Sequence, residues 1–144
     1  HLNEIVGAVN KMAKAKTGAL IVMEKQSGIS PFVSSYTTID SVISEDLLES
    51  IFFKNSPLHD GALIIAKNRI LFAGAVLPIS DQKLAGKYGT RHRAAFGITE
   101  LTDAIVIVVS EETGDVSLVN DNKIQKIKDI EANLKKELVI LFGN

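Results

Sequence analysis

The sequence predicts one mixed α/β domain, with a central and mostly antiparallel β-sheet flanked by α-helices. Apolar residues recur at helical spacing near both ends of the chain, and short apolar runs between turn-forming residues, typical of buried strands, lie between those ends. No repeat, low-complexity stretch or linker divides the chain. We therefore expect a single domain over residues 1–144.

The first segment predicts an amphipathic helix followed by a buried strand. The helix has an apolar stripe that ends near residues 16–18 and consists of Leu2, Ile5, Val6, Val9, Met12 and Ala13. Residues 18–24 form an apolar run bounded by Gly18 and by the turn-like residues 26–28, which predicts a buried strand. Residues 29–38 have no clear period, so we expect a loop that returns to the sheet.

A second helix and a hairpin follow. Ser44 is a suitable N-cap, Glu45 and Asp46 favour a helix N-terminus, and the helix must end before Pro57. Its apolar stripe consists of Leu47, Leu48, Ile51 and Phe52. Residues 62–66 and 70–77, joined by the polar turn 67–69 and closed by Pro78, predict a hairpin of two buried strands.

The last part of the chain predicts two more helices and two more strands. Residues 80–89 are polar and contain glycine, so we expect a loop, after which Thr90 would cap a short helix. Residues 104–109 and 116–119 predict two strands joined by a turn at 111–114. A closing amphipathic helix is indicated by Ile127, Ile130, Leu134, Leu138 and Leu141.

Composition and charge exclude several classes of function. A formal net charge of -1 argues against electrostatic binding to nucleic acid or to an acidic membrane, which needs an excess of Lys and Arg. The absence of cysteine excludes disulfides, thiolate metal sites and a cysteine nucleophile, and it fits a reducing compartment such as the cytoplasm. No apolar run approaches the roughly 20 residues that span a bilayer. Because the chain begins at His1, without Met and within a helical pattern, we expect a piece of a longer protein.

The first candidate functional segment is residues 57–62, where a predicted loop enters a buried strand. Asp60 would be held rigidly there and remain accessible to a metal or a substrate hydroxyl, and Gly61 would let a base or phosphate approach the backbone. The alternative is that Asp60 and Gly61 only form a tight turn.

The second candidate segment is residues 89–93. It places a hydroxyl and two guanidinium groups, from Thr90, Arg91 and Arg93, at the start of a predicted helix. Free backbone N–H groups and arginine forks are the groups that bind phosphate oxygens. The alternative is a solvated basic turn or a salt-bridged helix start.

The third candidate segment is residues 110–114, which follow a buried strand and carry Glu111 and Glu112. A carboxylate at a strand end can bind a cation or contact a nucleotide, although acidic turns without any such role are common. The chain has no P-loop, no dinucleotide-binding glycine motif, no zinc-type histidine spacing and no nucleophile elbow. The residues by themselves therefore indicate an anion and metal-nucleotide site, with a hard cation favoured over zinc.

Taken in order, the three segments resemble the diadenylate cyclase domain family. The segments that carry the resemblance are His59-Asp60-Gly61-Ala62, Gly89-Thr90-Arg91-His92-Arg93-Ala94 and Val109-Ser110-Glu111-Glu112-Thr113-Gly114. The match in order and spacing extends over most of the chain. It implies the fold of that family and the condensation of two ATP molecules into cyclic di-AMP plus two pyrophosphates. Each ATP 3′-hydroxyl would attack the α-phosphate of the other across a face-to-face homodimer.

The resemblance also implies roles for individual residues. Asp60 would bind a divalent metal, Mg²⁺ or Mn²⁺ with Co²⁺ as a further candidate, and would help to activate the hydroxyl. His59 and Glu112 would be further metal ligands. The implied catalytic residues are Asp60, Gly61, Ala62, Arg91, His92 and Arg93. The implied ATP-binding residues are Gly61, Leu77, Thr90, Arg91, His92, Arg93, Ser110, Glu111 and Glu112. His92 has an alternative role, in which it orients its neighbours from within the helix.

Within the family, the chain most resembles the membrane-anchored cyclases and has no DNA-binding extension. This implies a cytoplasmic domain of a bacterial plasma-membrane protein, attached to the membrane only through segments absent here, with regulatory proteins as further partners. Val76 stands where we expect an aromatic residue that stacks on adenine. Two alternative functions are a non-catalytic domain that senses ATP or cyclic di-AMP, and an assembly domain in which the arginines form salt bridges.

Overall fold

The computed structural model describes residues 1–81 and 88–143. Within these residues, groups of two or three strands separate the helices, and one turn of 3-10 helix covers Ser30–Phe32. The elements in chain order are α1 (Leu2–Ala15), β1 (Ala19–Met23), β2 (Ser35–Val42), α2 (Glu45–Phe52), β3 (Ala62–Ala66), β4 (Arg69–Val76), α3 (Thr90–Leu101), β5 (Ile105–Val109), β6 (Val116–Asn120), β7 (Lys123–Ile127) and α4 (Ile130–Phe142). In this part of the chain, no helix has both the length and the hydrophobicity that a membrane crossing requires.

The described strands form one seven-stranded sheet in the order β2-β4-β3-β1-β5-β6-β7. β1 and β3 pair in parallel, and every other neighbouring pair is antiparallel. This confirms the predicted mixed, mostly antiparallel sheet. Because β1 and β3 run in the same direction, the residues that enter them lie at one edge of the sheet. The ends of the antiparallel neighbours β4 and β5 lie at that same edge.

The core has two layers of side chains, one on each face of the sheet. Alternate residues of β1 point to opposite faces: Ile21 packs in the cluster under α1, α2 and α4, whereas Leu20 and Val22 pack in the cluster under α3. The central strands β1, β3 and β5 are buried along their whole length, as expected for strands covered by helices on both faces.

Local chemistry explains where several predicted elements begin and turn. The Ser44 hydroxyl accepts a hydrogen bond from the Leu47 N–H at 3.3 Å, which confirms Ser44 as the N-cap of α2. Lys67 and Asn68 have φ values of 54° and 61°, the conformation of a two-residue hairpin turn, so the predicted hairpin is confirmed as β3 and β4.

Two predicted segments are wrong because edge strands lack a clear apolar pattern. Residues 35–38 belong to the segment predicted as a loop, but residues 35–42 form the strand β2. Among the described strands, β2 pairs only with β4, through two register shifts, and most of its side chains are exposed. Ile127, assigned to the closing helix, lies instead in the edge strand β7, and α4 begins at Ile130. A strand at the side of a sheet buries few of its side chains, so its sequence shows only a weak alternation of apolar and polar residues.

The predicted cap of α3 also needs correction. Gly89 is the N-cap, without a side-chain hydrogen bond, and Thr90 is the first residue of the helix. Thr90 is exposed there, so its hydroxyl is accessible to a ligand. Of the predicted loop 80–89, residues 82–87 lie outside the described residues.

Candidate active site

All three candidate segments meet at one edge of the sheet. Residues 59–61 precede β3, residues 110–112 follow β5, and the register pairs Ala19 at the start of β1 with Val109 at the end of β5. The N-terminus of α3 lies over the same edge. The topology therefore brings together segments that are separated by up to 50 residues.

A cavity of about 560 Å³ occupies this edge. Its lining combines apolar residues from β1, the end of β4 and α3 with charged and polar groups. The lining residues are Leu20, His59, Asp60, Gly61, Ala75, Val76, Leu77, Ile79, Thr90, Arg91, Ala94 and Glu111. Leu77, predicted to contact a nucleotide base, does line the cavity and is only 6% exposed.

Asp60 is the free carboxylate of this cavity. It is exposed and follows directly on the half-buried His59. The His59 ring is held by a 2.8 Å hydrogen bond between its Nδ1 and the carbonyl oxygen of Ser56. Since a carbonyl only accepts, Nδ1 donates the proton, and the Nε2 of the neutral ring retains its lone pair. An accessible carboxylate and an imidazole ring therefore line the same cavity.

Gly61 and Ala62 have structural roles that the sequence did not indicate. Gly61 has a φ of 102°, and a Cβ at this position would lie 2.9 Å from the carbonyl oxygen of Ala75. The packing of β3 on β4 thus requires glycine at this position. The missing side chain would also leave space for a ligand close to the backbone. Ala62 is fully buried and does not line the cavity, so its side chain belongs to the core.

Arg91 is the cation of the cavity. Its Nη1 lies 3.5 Å from Oε1 of Glu111, and its side chain is 21% exposed. The first hydrogen bond of α3 runs from Arg93 N to Gly89 O, so the preceding N–H groups have no partner within the helix. These N–H groups, the Thr90 hydroxyl and the Arg91 guanidinium place hydrogen-bond donors and positive charge at the same end of the helix.

A second groove, of about 320 Å³, adjoins the cavity and shares Thr90, Arg91 and Glu111 with it. Its further lining residues include His92, Ser110 and Glu112. The Ser110 hydroxyl accepts hydrogen bonds from the N–H groups of Glu112 (3.2 Å) and Thr113 (3.3 Å), so Ser110 shapes this turn. Its own proton remains available to a ligand oxygen.

His92 is half-buried in this groove and stacks on Tyr88, with ring centroids 5.1 Å apart. Burial, followed by repulsion from Arg91 and Lys126, lowers the pKa of His92 below its ordinary value. The ring is therefore neutral near pH 7. The position of His92 is compatible with direct contact to a ligand, because the ring borders the groove. It is also compatible with a role in orienting its neighbours, because the ring stacks on Tyr88 at the start of the helix.

Five predicted site residues do not line the cavity: Ala62, His92, Arg93, Ser110 and Glu112. Arg93 lines neither cavity nor groove; its carbonyl oxygen accepts a 3.1 Å hydrogen bond from Ser80 N. Glu112 lines the groove, whereas Glu111 reaches the cavity, and within residues 1–81 and 88–143 no three carboxylate or histidine side chains form a metal cluster. The predicted metal set of His59, Asp60 and Glu112 is therefore separated in a single chain.

A divalent cation nevertheless fits the two donors that remain. Mg²⁺ is commonly bound by one or two protein ligands while water and substrate phosphates fill its other positions. Asp60 has no hydrogen-bond or ion-pair partner among the described residues, the hydrogen bond to Ser56 does not use Nε2 of His59, and both residues line the cavity. Sequence reasoning missed Leu20, Ile79 and Ala94 in the lining, because apolar residues carry no local signal of a ligand site.

Comparison with known proteins gives consistent matches over most of the chain. The profile of the family described as DisA bacterial checkpoint controller nucleotide-binding (DAC) matches residues 6–124. A diadenylate cyclase of Listeria monocytogenes is 44% identical over an alignment of 144 positions, which covers 96% of this chain and 53% of that protein. The chain spans 53% of that cyclase and 57% and 46% of two cyclic di-AMP synthases of Bacillus subtilis, which is about half the length of each.

Solved structures agree with the fold. A crystal structure of a double mutant of DacA from Staphylococcus aureus superimposes with a TM-score of 0.91 at 42% identity, over 99% of this chain and 95% of that chain. A hypothetical membrane spanning protein from Bacillus cereus superimposes with a TM-score of 0.84 at 38% identity, over 88% of this chain and 62% of that chain.

Proposed function

The chain belongs to the DAC family, the diadenylate cyclase domains, and from that premise we propose that it condenses two ATP molecules into cyclic di-AMP and two pyrophosphates. The observation that carries the proposal is the position of Asp60 and Arg91 on one cavity, together with the free N–H groups at the start of α3. This cavity offers an acceptor for a hydroxyl proton and a binding site for phosphate. Those are the two requirements of nucleotidyl transfer.

Each chain would hold one ATP. The triphosphate would lie at the N-terminus of α3, where the N–H groups, the Thr90 hydroxyl and the Arg91 guanidinium neutralise and orient its oxygens. The base would lie against the apolar part of the lining, which includes Leu20 and Leu77. Val76, 51% exposed, offers aliphatic contact where an aromatic residue would stack, so we expect base binding to depend on burial of apolar surface.

The reaction forms one P–O bond and breaks another on each nucleotide. The 3′-hydroxyl oxygen of one ATP attacks the α-phosphorus of the other, the bond from that phosphorus to the β-phosphate bridging oxygen breaks, and pyrophosphate leaves. Asp60 would take or position the hydroxyl proton, because its carboxylate is accessible and unpaired among the described residues. A divalent cation held by Asp60 and His59, either Mg²⁺ or Mn²⁺, with Co²⁺ as the third candidate, would supply further neutralisation of phosphate charge when bound.

Closure of the ring requires two chains. One cavity with one phosphate-binding helix end holds one nucleotide, and the attacking and attacked atoms must approach to about 3 Å. We therefore infer a homodimer in which two such cavities face each other. Its two hydroxyls and two α-phosphates then react reciprocally.

The proposed setting is the cytoplasmic side of a bacterial plasma membrane. Support comes from the resemblance to membrane-anchored cyclases, from the structural match to a membrane spanning protein of Bacillus cereus, and from relatives that are about twice as long as this chain. The anchor and any contacts with regulatory proteins would involve segments outside these residues.

The test is to incubate the purified chain with ATP and either Mg²⁺ or Mn²⁺ and to resolve nucleotides by ion-pair chromatography. We expect cyclic di-AMP from the unmutated chain and none from Asp60→Asn. The circular dichroism spectra of the two should be the same, because the Asp60 side chain is exposed. The matched control is Asp121→Asn, an equally exposed turn residue with a φ of 47°, which asparagine tolerates; this variant should remain active.

The outcomes separate the two candidate functions. ATP binding without product would favour the sensing domain or a dimer that does not bring the cavities together. Cyclic di-AMP at an unchanged rate from Asp60→Asn would remove Asp60 from the mechanism, and absence of ATP binding by the unmutated chain would contradict the proposed activity.

A further inference from the structure

The Arg91 guanidinium packs on the backbone of Gly18. A Cβ added at Gly18 would lie 2.5 Å from Cζ, 2.6 Å from Nη1 and 2.8 Å from Nη2 of Arg91, and these are its three nearest atoms. The planar end of the arginine therefore occupies the space where any other residue would carry its side chain. Gly18 lies just before β1, at the sheet edge that carries the cavity.

Two further observations describe the surroundings of this guanidinium. Glu111 Oε1 lies 3.5 Å from Nη1. The Nε of Arg91 is buried and has no hydrogen-bond partner among the described residues, so the side chain is packed around Nε, and Arg91 lines the cavity. An arginine has considerable rotamer entropy, and a side chain already ordered before binding loses less of it when it meets a phosphate.

We propose that Gly18 is a positioning residue for nucleotide binding: its missing side chain provides the surface on which the Arg91 guanidinium is ordered toward the phosphates. This inference rests on the proposed function and adds to it a residue outside the three motifs. Gly18 acts only through Arg91, since Gly18 itself does not line the cavity.

The geometry separates this role from an ordinary structural requirement for glycine. Gly18 is not among the described residues with positive φ, so alanine is compatible with its backbone. The atoms that a Cβ would meet belong to the end of a flexible side chain, which can move at little cost to the fold. At Gly61, by contrast, φ is positive and a Cβ would meet backbone atoms. Gly18→Ala should therefore move the arginine and leave the domain folded.

The experiment compares Gly18→Ala with Gly7→Ala, a matched control in which the new Cβ displaces the end of the Glu45 side chain, away from the cavity. ATP affinity with Mg²⁺ is measured by calorimetry. We expect Gly18→Ala to weaken ATP binding about tenfold, the order of one well-placed charge-assisted hydrogen bond, and Gly7→Ala to leave it unchanged. The melting temperature of Gly18→Ala should stay close to that of the unmutated chain.

A double-mutant cycle identifies the route of the effect. In an Arg91→Ala background, Gly18→Ala should weaken ATP binding no further, because the group that it displaces is absent. An equal loss in both backgrounds would overturn the inference, as would unchanged ATP affinity in Gly18→Ala alone.

A readout without nucleotide distinguishes this inference from the proposed function. The Nε–H NMR signal of Arg91, identified by its loss in Arg91→Lys, should shift in Gly18→Ala and not in Gly7→Ala. A signal that does not move would refute the positioning role even in an active enzyme. A shifted signal in a chain that binds no ATP would show the contact and refute its link to nucleotide binding.

Discussion

Replacing Arg91 with alanine tests the phosphate-binding end of α3 most directly. Arg91 is the only arginine that lines the cavity among the described residues, and it shares that cavity with Asp60. The substitution removes one guanidinium and its ion pair with Glu111, and it leaves the free N–H groups of the helix in place. We therefore expect a loss of ATP affinity with little loss of stability.

The magnitude follows from the surroundings of the two partners. The Glu111 side chain is 66% exposed, so its ion pair with Arg91 is screened by water and contributes at most about 1 kcal/mol to folding. A hydrogen bond from a charged donor to phosphate is worth about 1.5–3 kcal/mol, which corresponds to a 10–150-fold weaker Kd for ATP in Arg91→Ala.

Calorimetric titration with ATP and Mg²⁺ measures this loss, and two other arginines provide the contrast. Arg69→Ala removes an exposed ion pair with Asp40, 2.8 Å from Nε to Oδ1, far from the cavity, and should leave ATP affinity unchanged. Arg93→Ala should change ATP affinity less than about threefold, because Arg93 does not line the cavity.

The reasoning would be refuted by either of two results. ATP affinity in Arg91→Ala that equals the affinity of the unmutated chain would place the triphosphate elsewhere. A loss in Arg93→Ala as large as that in Arg91→Ala would show that the second arginine also reaches the phosphates, in a side-chain arrangement different from the one described.

Two further predictions concern stability. Gly97 on α3 packs against the Pro78 carbonyl, so the new methyl group of Gly97→Ala would push the two backbone segments apart. The free energy of unfolding should decrease by about 1–3 kcal/mol, measured as a lower midpoint of urea denaturation. An unchanged midpoint would contradict the close packing. The lowered pKa of His92, caused first by burial, means that the unfolded chain takes up a proton before the folded chain does as pH falls. The free energy of unfolding should therefore decrease as pH falls below about 6.5, and the decrease should be smaller in His92→Gln. Melting temperatures that fall equally with pH in the variant and in the unmutated chain would refute this.

Most buried elements could be predicted because their signals are local. The run 19–23 is apolar on both faces, and Ser44 has the side chain that caps a helix, so neighbouring residues alone specify both elements. The edge strands β2 and β7 could not be predicted in this way. Their side chains are largely exposed, and only pairing with β4 and β6 makes them strands.

The candidate groups of the site could also be named from residue types and from the family resemblance. A carboxylate before a strand and arginines at a helix start indicate metal and phosphate binding whatever the fold around them. Residue types and their order are thus enough to define the candidate groups: Asp60 and its histidine neighbour, the residues at the start of α3, and the acidic turn after β5.

Which of these groups lie on one cavity depends on the packing of distant elements. Arg91 and Arg93 are two residues apart, yet successive helical side chains are rotated by about 100°, so only one of them reaches the cavity once α3 packs on the sheet. The same packing selects Glu111 over Glu112 and sets Gly18, 73 residues before Arg91, beneath its guanidinium. Such contacts depend on the direction of a side chain relative to a distant strand, which neither composition nor local periodicity specifies.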